Sequence, residues 1–336
     1  MDVKFHGWPH ILKAQQFSRE WMEQVLFPLS DRMEKMSADK SCCHLLDGYE
    51  MVSLFCGEST RTRGSFEIGF QRLGGRVIFS SPMAKLLSAM GKEETIEDTV
   101  QVFNEYGTDV FVIRNDEKCE LAPIALGSMV PIINAADNAE KDKQHPTQAI
   151  LDLYTIYRHL GRIEGLTIAM MGDLANGRTV RSNCYLLGKF PGITIYFVSP
   201  PGPDYAIGSD IKKYLTEHGV TFCECTDIRE IASQVDVFYQ TRTQKNLGTK
   251  SWDRADGVNG FTVINAAVLR AAKSYAIVMH PLPCIDEIVR KEVDEDRRAI
   301  YIRSRNGKPS QVRCGLLTRM AESIIVVKPE LCASLL

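Results

Sequence analysis

No run of apolar residues in this 336-residue sequence approaches the ~20 needed to span a bilayer. The start, from Met1 to Pro9, lacks the apolar centre of a secretory signal. Excess charge is also missing: 40 Lys and Arg against 42 Asp and Glu give a formal charge of −2. That balance excludes a global electrostatic case for nucleic acid or an anionic membrane, so any anion site must be local. Paired CxxC spacing is absent. The ten cysteines are scattered, and the nearest sets, Cys42-Cys43 and Cys223 with Cys225, fit neither a structural zinc site nor a disulfide framework. No metal is expected, and so many thiols point to a reducing compartment, the cytoplasm by default. There is no GxGxxG after a strand, no GxxxxGK[ST], no GxSxG and no zinc-protease histidine pair. Dinucleotide binding, an ordinary ATP loop, α/β-hydrolase chemistry and zinc proteolysis therefore have no sequence support. Neither a solenoid repeat nor a low-complexity tract is present.

What is present is a soluble globular composition, 44% hydrophobic and 24% charged, in a chain long enough for two domains of ordinary size. Helical spacing begins within 12–36, where Trp21, Met22, Val25 and Leu26 lie at i, i+1, i+4 and i+5. Apolar runs predict strands at 51–55, 76–81, 109–114 and 130–134, with a helix over 94–105. The charged stretch 138–144 reads as a hinge region. Pro146 opens a helix whose stripe is Ile150, Leu151, Leu153, Tyr154 and Tyr157. A second series follows, with strands at 167–171, 194–198, 221–223, 236–239 and 276–279. Its helices are expected near 178–188, 209–218, 227–233 and 266–273, and a last apolar helix covers 316–327. Continuous rather than alternating apolar strands, separated by helices, imply parallel sheets covered on both faces. The fold class is α/β: two successive domains, each with a central parallel β-sheet flanked by helices.

Ligands of such sheets gather at the carboxyl ends of the strands. Every polar cluster of interest lies there. Ser59, Thr60, Arg61, Thr62 and Arg63 stand where the first strand hands over to a helix. A helix start offers unpaired N–H groups and partial positive charge, so hydroxyls and guanidinium groups beside it suit a dianion such as phosphate. Taken alone, the stretch is equally a Ser/Thr cap with two solvated arginines. Arg114 ends the third strand, and His145 to Gln148 follow the fourth. Gly172 to Thr179, with Arg178, follow the first strand of the second series. Thr241 to Gln244, with Arg242, and His280 to Pro283 follow later strands. His145 before a Pro-started helix is by itself a cap or surface residue, and His280 a shaper of the Pro-Leu-Pro turn. If both sheets present these ends to one cleft, Arg61, Arg114, Arg178 and Arg242 converge on a multiply anionic ligand set.

With these clusters in order, the chain resembles the aspartate/ornithine carbamoyltransferase family. Ser59 to Arg63 matches its carbamoyl phosphate motif. His145-Pro-Thr-Gln148, His280-Pro-Leu-Pro283 and Arg242-Thr-Gln244 look like the aspartate branch. The resemblance runs from about residue 50 to the final helix. It implies a carbamoyl phosphate domain over 1–145, an amino-acid domain over 146–310, and a C-terminal helix, 311–336, returning to the first. By motif it implies that Ser59, Thr60, Arg61 and Thr62 hold the phosphate. Thr62, Arg114 and His145 would address the carbamoyl oxygen, and Gln148 the carbamoyl nitrogen. Ser88 and Lys92 would be lent by an adjacent subunit, Lys92 serving both substrates. Arg178, Arg242 and Gln244 would bind aspartate, and Leu282 would add a backbone contact. Arg61, Thr62, Lys92, Arg114 and His145 are the implied catalytic set.

The family reaction joins carbamoyl phosphate and L-aspartate to N-carbamoyl-L-aspartate and phosphate in pyrimidine synthesis, without metal or organic cofactor. Its usual assembly is a homotrimer with shared active sites, to which regulatory chains attach in some members. The chain departs from the aspartate pattern at Gly57, usually Glu; at Asn246 and Leu247, usually Glu-Arg; and at Cys284, usually Arg. These departures admit two alternatives: a carbamoyltransferase with another amino-acid acceptor, or a non-catalytic member that binds carbamoyl phosphate or partner subunits.

Overall fold

The computed structural model describes residues 4–5, 8–57, 59–81, 94–116, 118–242 and 262–336. It divides into two compact units, Met1–Leu151 with Cys314–Leu336, and Asp152–Arg313.

The first unit opens with a two-residue antiparallel pair, Lys4–Phe5 against Trp8–Pro9. A helical turn, Arg19–Trp21, follows. Ser18 caps it by accepting from the Trp21 amide, and a π-helical turn, Met22–Leu26, leads into α1, Phe27–Asp39. Then come β1 (Glu50–Phe55), α2 (Thr60–Arg72) and β2 (Arg76–Ser81). They are followed by α3 (Ile96–Glu105), β3 (Val110–Arg114), α4 (Leu121–Gly127), β4 (Ile132–Asn134) and α5 (Pro146–Leu160). The strands are parallel in the order β2-β1-β3-β4. Met51 to Phe55 and Val110 to Ile113 are wholly buried, as continuous apolar strands between two helical layers must be. One face packs Val52, Leu54, Phe111, Ile113 and Ile132 against Val100, Leu121 and Ile124.

The second unit contains β5 (Thr167–Met171), α6 (Arg178–Leu187), β6 (Thr194–Val198), α7 (Ser209–Glu217) and β7 (Thr221–Cys225). It continues with β8 (Val237–Gln240), α8 (Ala266–Ala271), β9 (Ile277–Met279) and α9 (Arg290–Val293). Its sheet is also parallel, ordered β9-β8-β5-β6-β7. Ala169, Met171, Phe238 and Val278 pack there with Val268, Leu269 and Ile288.

The chain ends in α10 (Gln311–Val327) and the short α11 (Cys332–Leu335). Helix α10 packs on α2 of the first unit. Gly69 makes the approach possible: a Cβ there would sit 3.2 Å from Met320 Cγ and 3.7 Å from the Met320 amide nitrogen. Arg319 lies over the Phe66 ring, 5.1 Å from its centroid, and donates to Ser65 Oγ. The C-terminal helix thus returns to the first unit, and two parallel sheets of four and five strands flanked by helices form the α/β class.

Several local expectations are corrected. The helix expected over 227–233 is two 3₁₀ turns, Ile228–Glu230 and Ala232–Gln234, because Asp227 folds back to accept from the Arg229 amide. The last helix starts at Gln311, five residues before the apolar stripe that announced it. Helix α4 also accommodates Pro123 without a break. Proline stands there within the first turn, where amides have no intrahelical partner. Strand β7 runs two residues past Cys223; it lies at the sheet edge, so its side chains stay largely exposed and carry little apolar signal. Among the described residues no helix is long and apolar enough to cross a membrane.

Candidate active site

Each sheet has one switch point, where successive strands depart in opposite directions. In the first unit it lies between β1 and β3, since β2 adds on one side of β1 and β3 on the other. Open parallel sheets leave a crevice there, outside the carboxyl ends of the strands. The β1 end carries Ser59 to Arg63, and the β3 end carries Arg114. The Cys56 amide donates to the Arg114 carbonyl at 2.9 Å, holding the two ends side by side.

Ser59 is the N-cap of α2, with extended φ of −155°, and its side chain makes no capping bond. No acidic residue occupies the first turn of α2, so nothing there neutralises the partial positive charge. Thr60 and Arg61 are exposed, whereas Thr62 turns inward and is buried. Thr62 Oγ1 lies 3.5 Å from His145 Nε2. The other ring nitrogen, Nδ1, lies 3.4 Å from Thr147 Oγ1. Arg63 points along the helix and pairs with Glu67 at 3.2 Å, and Glu67 in turn accepts from Ser53 Oγ at 2.8 Å. Of the two arginines in the motif, Arg63 is thus engaged by Glu67 of its own helix.

His145 and Gln148 are buried at the start of α5, whose first turn closes as the Gln148 and Ala149 amides donate to the His145 carbonyl. The stretch read as a hinge is closed at its base. The Gln144 amide donates to Asp137 Oδ1 at 2.8 Å, the Asp137 amide to the Gln144 carbonyl at 3.1 Å, and Asn134 to Asp137 Oδ2 at 2.7 Å. Gln144 is itself buried and accepts from the Ala14 amide. The charged insert is therefore closed at its base, immediately before His145.

In the second unit the switch point falls between β5 and β8. Gly172 follows β5 with φ of +110°, and a Cβ there would meet Thr241 Oγ1 at 2.7 Å. Thr241 ties the two strand ends together, its amide and hydroxyl both donating to the Met171 carbonyl at 2.8 Å. Arg178 is the first residue of α6, and Arg242 follows β8; both are half-buried. Behind them lies a buried carboxylate. Asp152 accepts from Tyr239 OH at 2.6 Å, Asn183 Nδ2 at 3.0 Å and Gln311 Nε2 at 2.7 Å. Burial and this carboxylate push the Tyr239 phenol well above its ordinary value. Gln311 passes the connection on, its Oε1 accepting from the His280 amide at 2.8 Å.

The His280 to Pro283 turn carries local strain. Leu282 holds φ of +61°, a left-handed conformation costing a side-chain-bearing residue about 1–2 kcal/mol. Its amide donates to His280 Nδ1 at 2.7 Å. The ring proton must then sit on Nε2. Cys284 and Glu287 stand close by, with the three potential donor atoms within 4.8 Å of one another. Glu287 Oε2 accepts from the Ile285 and Asp286 amides, and the protonated Nε2 offers no lone pair, so the trio is arranged to tie the loop. Burial, with Glu287 nearby, pushes the Cys284 thiol up to about 11.

The structure thus places Ser59 to Thr62, Arg114, His145 and Gln148 around the first switch point. It places Arg178 and Arg242 at the second, with Leu282 on the turn after β9. Ser88, Lys92 and Gln244, and the departures at Asn246 and Leu247, lie outside the described residues. Two residues escaped the sequence reading. Asp152 had a signal, being the lone acid in the apolar run of α5, and Asp116 had one in its place two residues beyond Arg114.

Residues 9–158 match the family model for the aspartate/ornithine carbamoyltransferase carbamoyl-P binding domain, and residues 164–319 that for the Asp/Orn binding domain. The chain is 42% identical over 311 residues to aspartate carbamoyltransferase 1, chloroplastic, of Pisum sativum, covering 93% of this chain and 76% of that one. It is similar to the aspartate transcarbamoylase of Trypanosoma cruzi solved with carbamoyl phosphate and aspartate. There the TM-score is 0.81 and the identity 34%, over 93% of both chains. It is likewise similar to the catalytic subunit of M. Jannaschii aspartate transcarbamoylase, with a TM-score of 0.83 and 33% identity over 95% of this chain and 98% of that one. Motif order, switch-point placement and whole-length similarity agree: this chain belongs to the aspartate/ornithine carbamoyltransferase family.

Proposed function

We propose that the chain is an aspartate carbamoyltransferase, moving the carbamoyl group of carbamoyl phosphate to the amino group of L-aspartate to give N-carbamoyl-L-aspartate and phosphate. The observation that carries this reading is the hydroxyl- and arginine-rich start of α2 beside Arg114 and His145, in a chain similar throughout to aspartate enzymes. In this reading residues 1–145 bind the donor, 146–310 bind the acceptor, and 311–336 return to the donor domain.

The neutral amine of aspartate attacks the carbamoyl carbon, and negative charge builds on the carbamoyl oxygen. Thr62, Arg114 and His145 donate to that oxygen, a role worth a few kcal/mol per well-aimed donor. Gln148 orients the carbamoyl nitrogen. The C–O bond to phosphate then breaks, and the departing phosphate is held by Ser59, Thr60, Arg61, the α2 amides, and Ser88 and Lys92 of a neighbouring subunit. The amine proton passes to the phosphate, so the balance requires no protein base, metal or organic cofactor. Arg178, Arg242 and Gln244 bind the aspartate carboxylates, Lys92 reaches both substrates, and the strained Leu282 turn presents its backbone to the donor. Much of the acceleration comes from holding two anions in order.

The assembly that fits a lent Ser88 and Lys92 is a homotrimer, to which regulatory chains can attach. None of the ten cysteines is joined in a disulfide, which suits a reducing compartment. The cytoplasm is the reading from the sequence, and a chloroplast, as in the name of the pea relative, is the alternative that cell fractionation decides.

The test is phosphate release from carbamoyl phosphate with L-aspartate and a panel of other amino acids. Release with aspartate supports the reading; release only with another amine moves the acceptor, and none with any amine overturns it. Arg61→Ala is expected to abolish release while the folded state persists, and near-normal activity in that variant refutes the donor site.

A further inference from the structure

Gly57 is the last residue but one before the phosphate-binding stretch, and its missing side chain has a visible reason. A Cβ built there would fall inside the van der Waals envelope of Asp116 Oδ2 and lie 2.9 Å from Asp116 Cγ. The space beside the β1 end is thus filled by a carboxylate from the β3 end. That carboxylate grips Arg114 along one edge of the guanidinium. Nη2 lies 3.2 Å from Oδ1, and both Nε and Nη2 lie 3.4 Å from Oδ2. The Asp116 backbone is anchored in its turn, as Asn138 Nδ2 donates to its carbonyl at 3.0 Å and the preceding Asn115 amide donates to the Ala136 carbonyl at 3.0 Å.

A guanidinium has five N–H donors in a rigid plane. Asp116 engages the Nε and Nη2 side of that plane. An arginine at a strand end would otherwise sample several rotamers, and ordering it on substrate binding costs free energy. A carboxylate on an anchored backbone, held against the guanidinium, supplies part of that order in advance.

We propose that Asp116 is a positioning residue for Arg114, and that Gly57 is glycine because the Asp116 carboxylate occupies its side-chain space. This deepens the donor-site reading above and rests on it: Arg114 must be a donor to the carbamoyl oxygen. Because that oxygen gains charge only as the reaction proceeds, a misaimed Arg114 lowers kcat more than it raises KM.

The experiment compares Asp116→Ala, Gly57→Ala, the double variant and Arg114→Ala, reading phosphate release at varied carbamoyl phosphate and thermal unfolding in parallel. Asp116→Ala is expected to lower kcat by roughly 10- to 100-fold with a much smaller change in KM. Gly57→Ala is expected to reproduce that loss by evicting the carboxylate. The double variant is expected to be no worse than either single one, because with alanine at 116 the two methyl carbons sit at about 3.4 Å, an ordinary contact. Wild-type kcat in Asp116→Ala, a change in KM alone, or additive losses in the double variant each overturn the proposal. Lost folding in Gly57→Ala does not rescue it, since the kcat and KM of Asp116→Ala decide by themselves. If Arg114→Ala is inactive while Asp116→Ala is normal, only this inference fails; if Arg114→Ala turns over normally, the donor-site reading fails with it.

Discussion

At the scale of single residues, the least expected group is Glu322. It is wholly buried on α10, and neither carboxylate oxygen has a hydrogen-bond partner among the described residues. Burial pushes its pKa up to about 8, with Arg319 pulling partly back. The sign follows from linkage. The folded pKa lies above the unfolded value near 4.3, so the folded chain holds the proton more tightly. Stability associated with Glu322 is fully present below about pH 4, declines as pH rises, and is lost once pH passes about 8. Glu322→Gln removes the titration. Relative to wild type, it is expected to gain stability between pH 5 and pH 9, by a few kcal/mol at most, read as diverging urea midpoints. Parallel midpoints across that range would exclude Glu322 as the titrating group. Nothing in the sequence singled out this acid, because charge alone does not reveal burial. The motif residues were legible for the opposite reason: Ser59 to Arg63, His145 and Arg178 stand at strand ends, where polar side chains have few structural duties. Asp116 was hidden because its task is set by Arg114 and by a space beside Gly57, relations that exist only after folding.

At the scale of elements, strands were the most legible feature. Buried parallel strands such as β5 and β6 must be apolar on both faces, so their limits coincide with their apolar runs. Helices were less so wherever polar contacts replace an apolar stripe. The first turn of α10 is an instance, since Gln311 serves a hydrogen-bond network centred on Asp152 of α5. That network joins α5 to Asn183 of α6, Tyr239 of β8 and, through Gln311, the His280 turn. Four elements thus share one carboxylate. Asp152→Ala leaves a buried phenol and two buried amides without their acceptor, each costing about 1–3 kcal/mol. It is expected to destabilise the chain by about 3 kcal/mol or more, against about 1 kcal/mol for Tyr239→Phe, which removes one donor. Urea unfolding of the two variants checks the ranking. Equal losses would mean that the carboxylate does not join the elements.

At the scale of the whole molecule, the family was legible because its motifs recur in one order over most of the chain. The proposed sharing of the active site between chains is the part that no single chain can display, and it carries its own test. If Lys92 acts in a neighbour's site, Lys92→Ala and Arg61→Ala chains are each inactive as pure assemblies, yet each supplies what the other lacks. In a closed ring of three, every site takes Arg61 from one chain and Lys92 from the next. A ring with two chains of one kind and one of the other has a single junction where an intact Arg61 meets an intact Lys92. Random mixing in equal amounts makes about three quarters of the rings mixed, each with one working site of three, so about a quarter of wild-type activity returns. Phosphate release after the two variants are co-refolded measures it, with the separately refolded proteins as the baseline. A mixture no more active than that baseline would place Arg61 and Lys92 in the same chain's site and remove the reason for a trimer. A recovery near one quarter establishes the sharing but does not count the subunits, because a closed pair with the same sharing rule gives about half of its rings mixed and one working site of two, the same quarter. The two cases separate by mass: sedimentation of the active fraction is expected at three times the chain mass of 37.7 kDa, and a twofold value would keep the sharing while changing the ring.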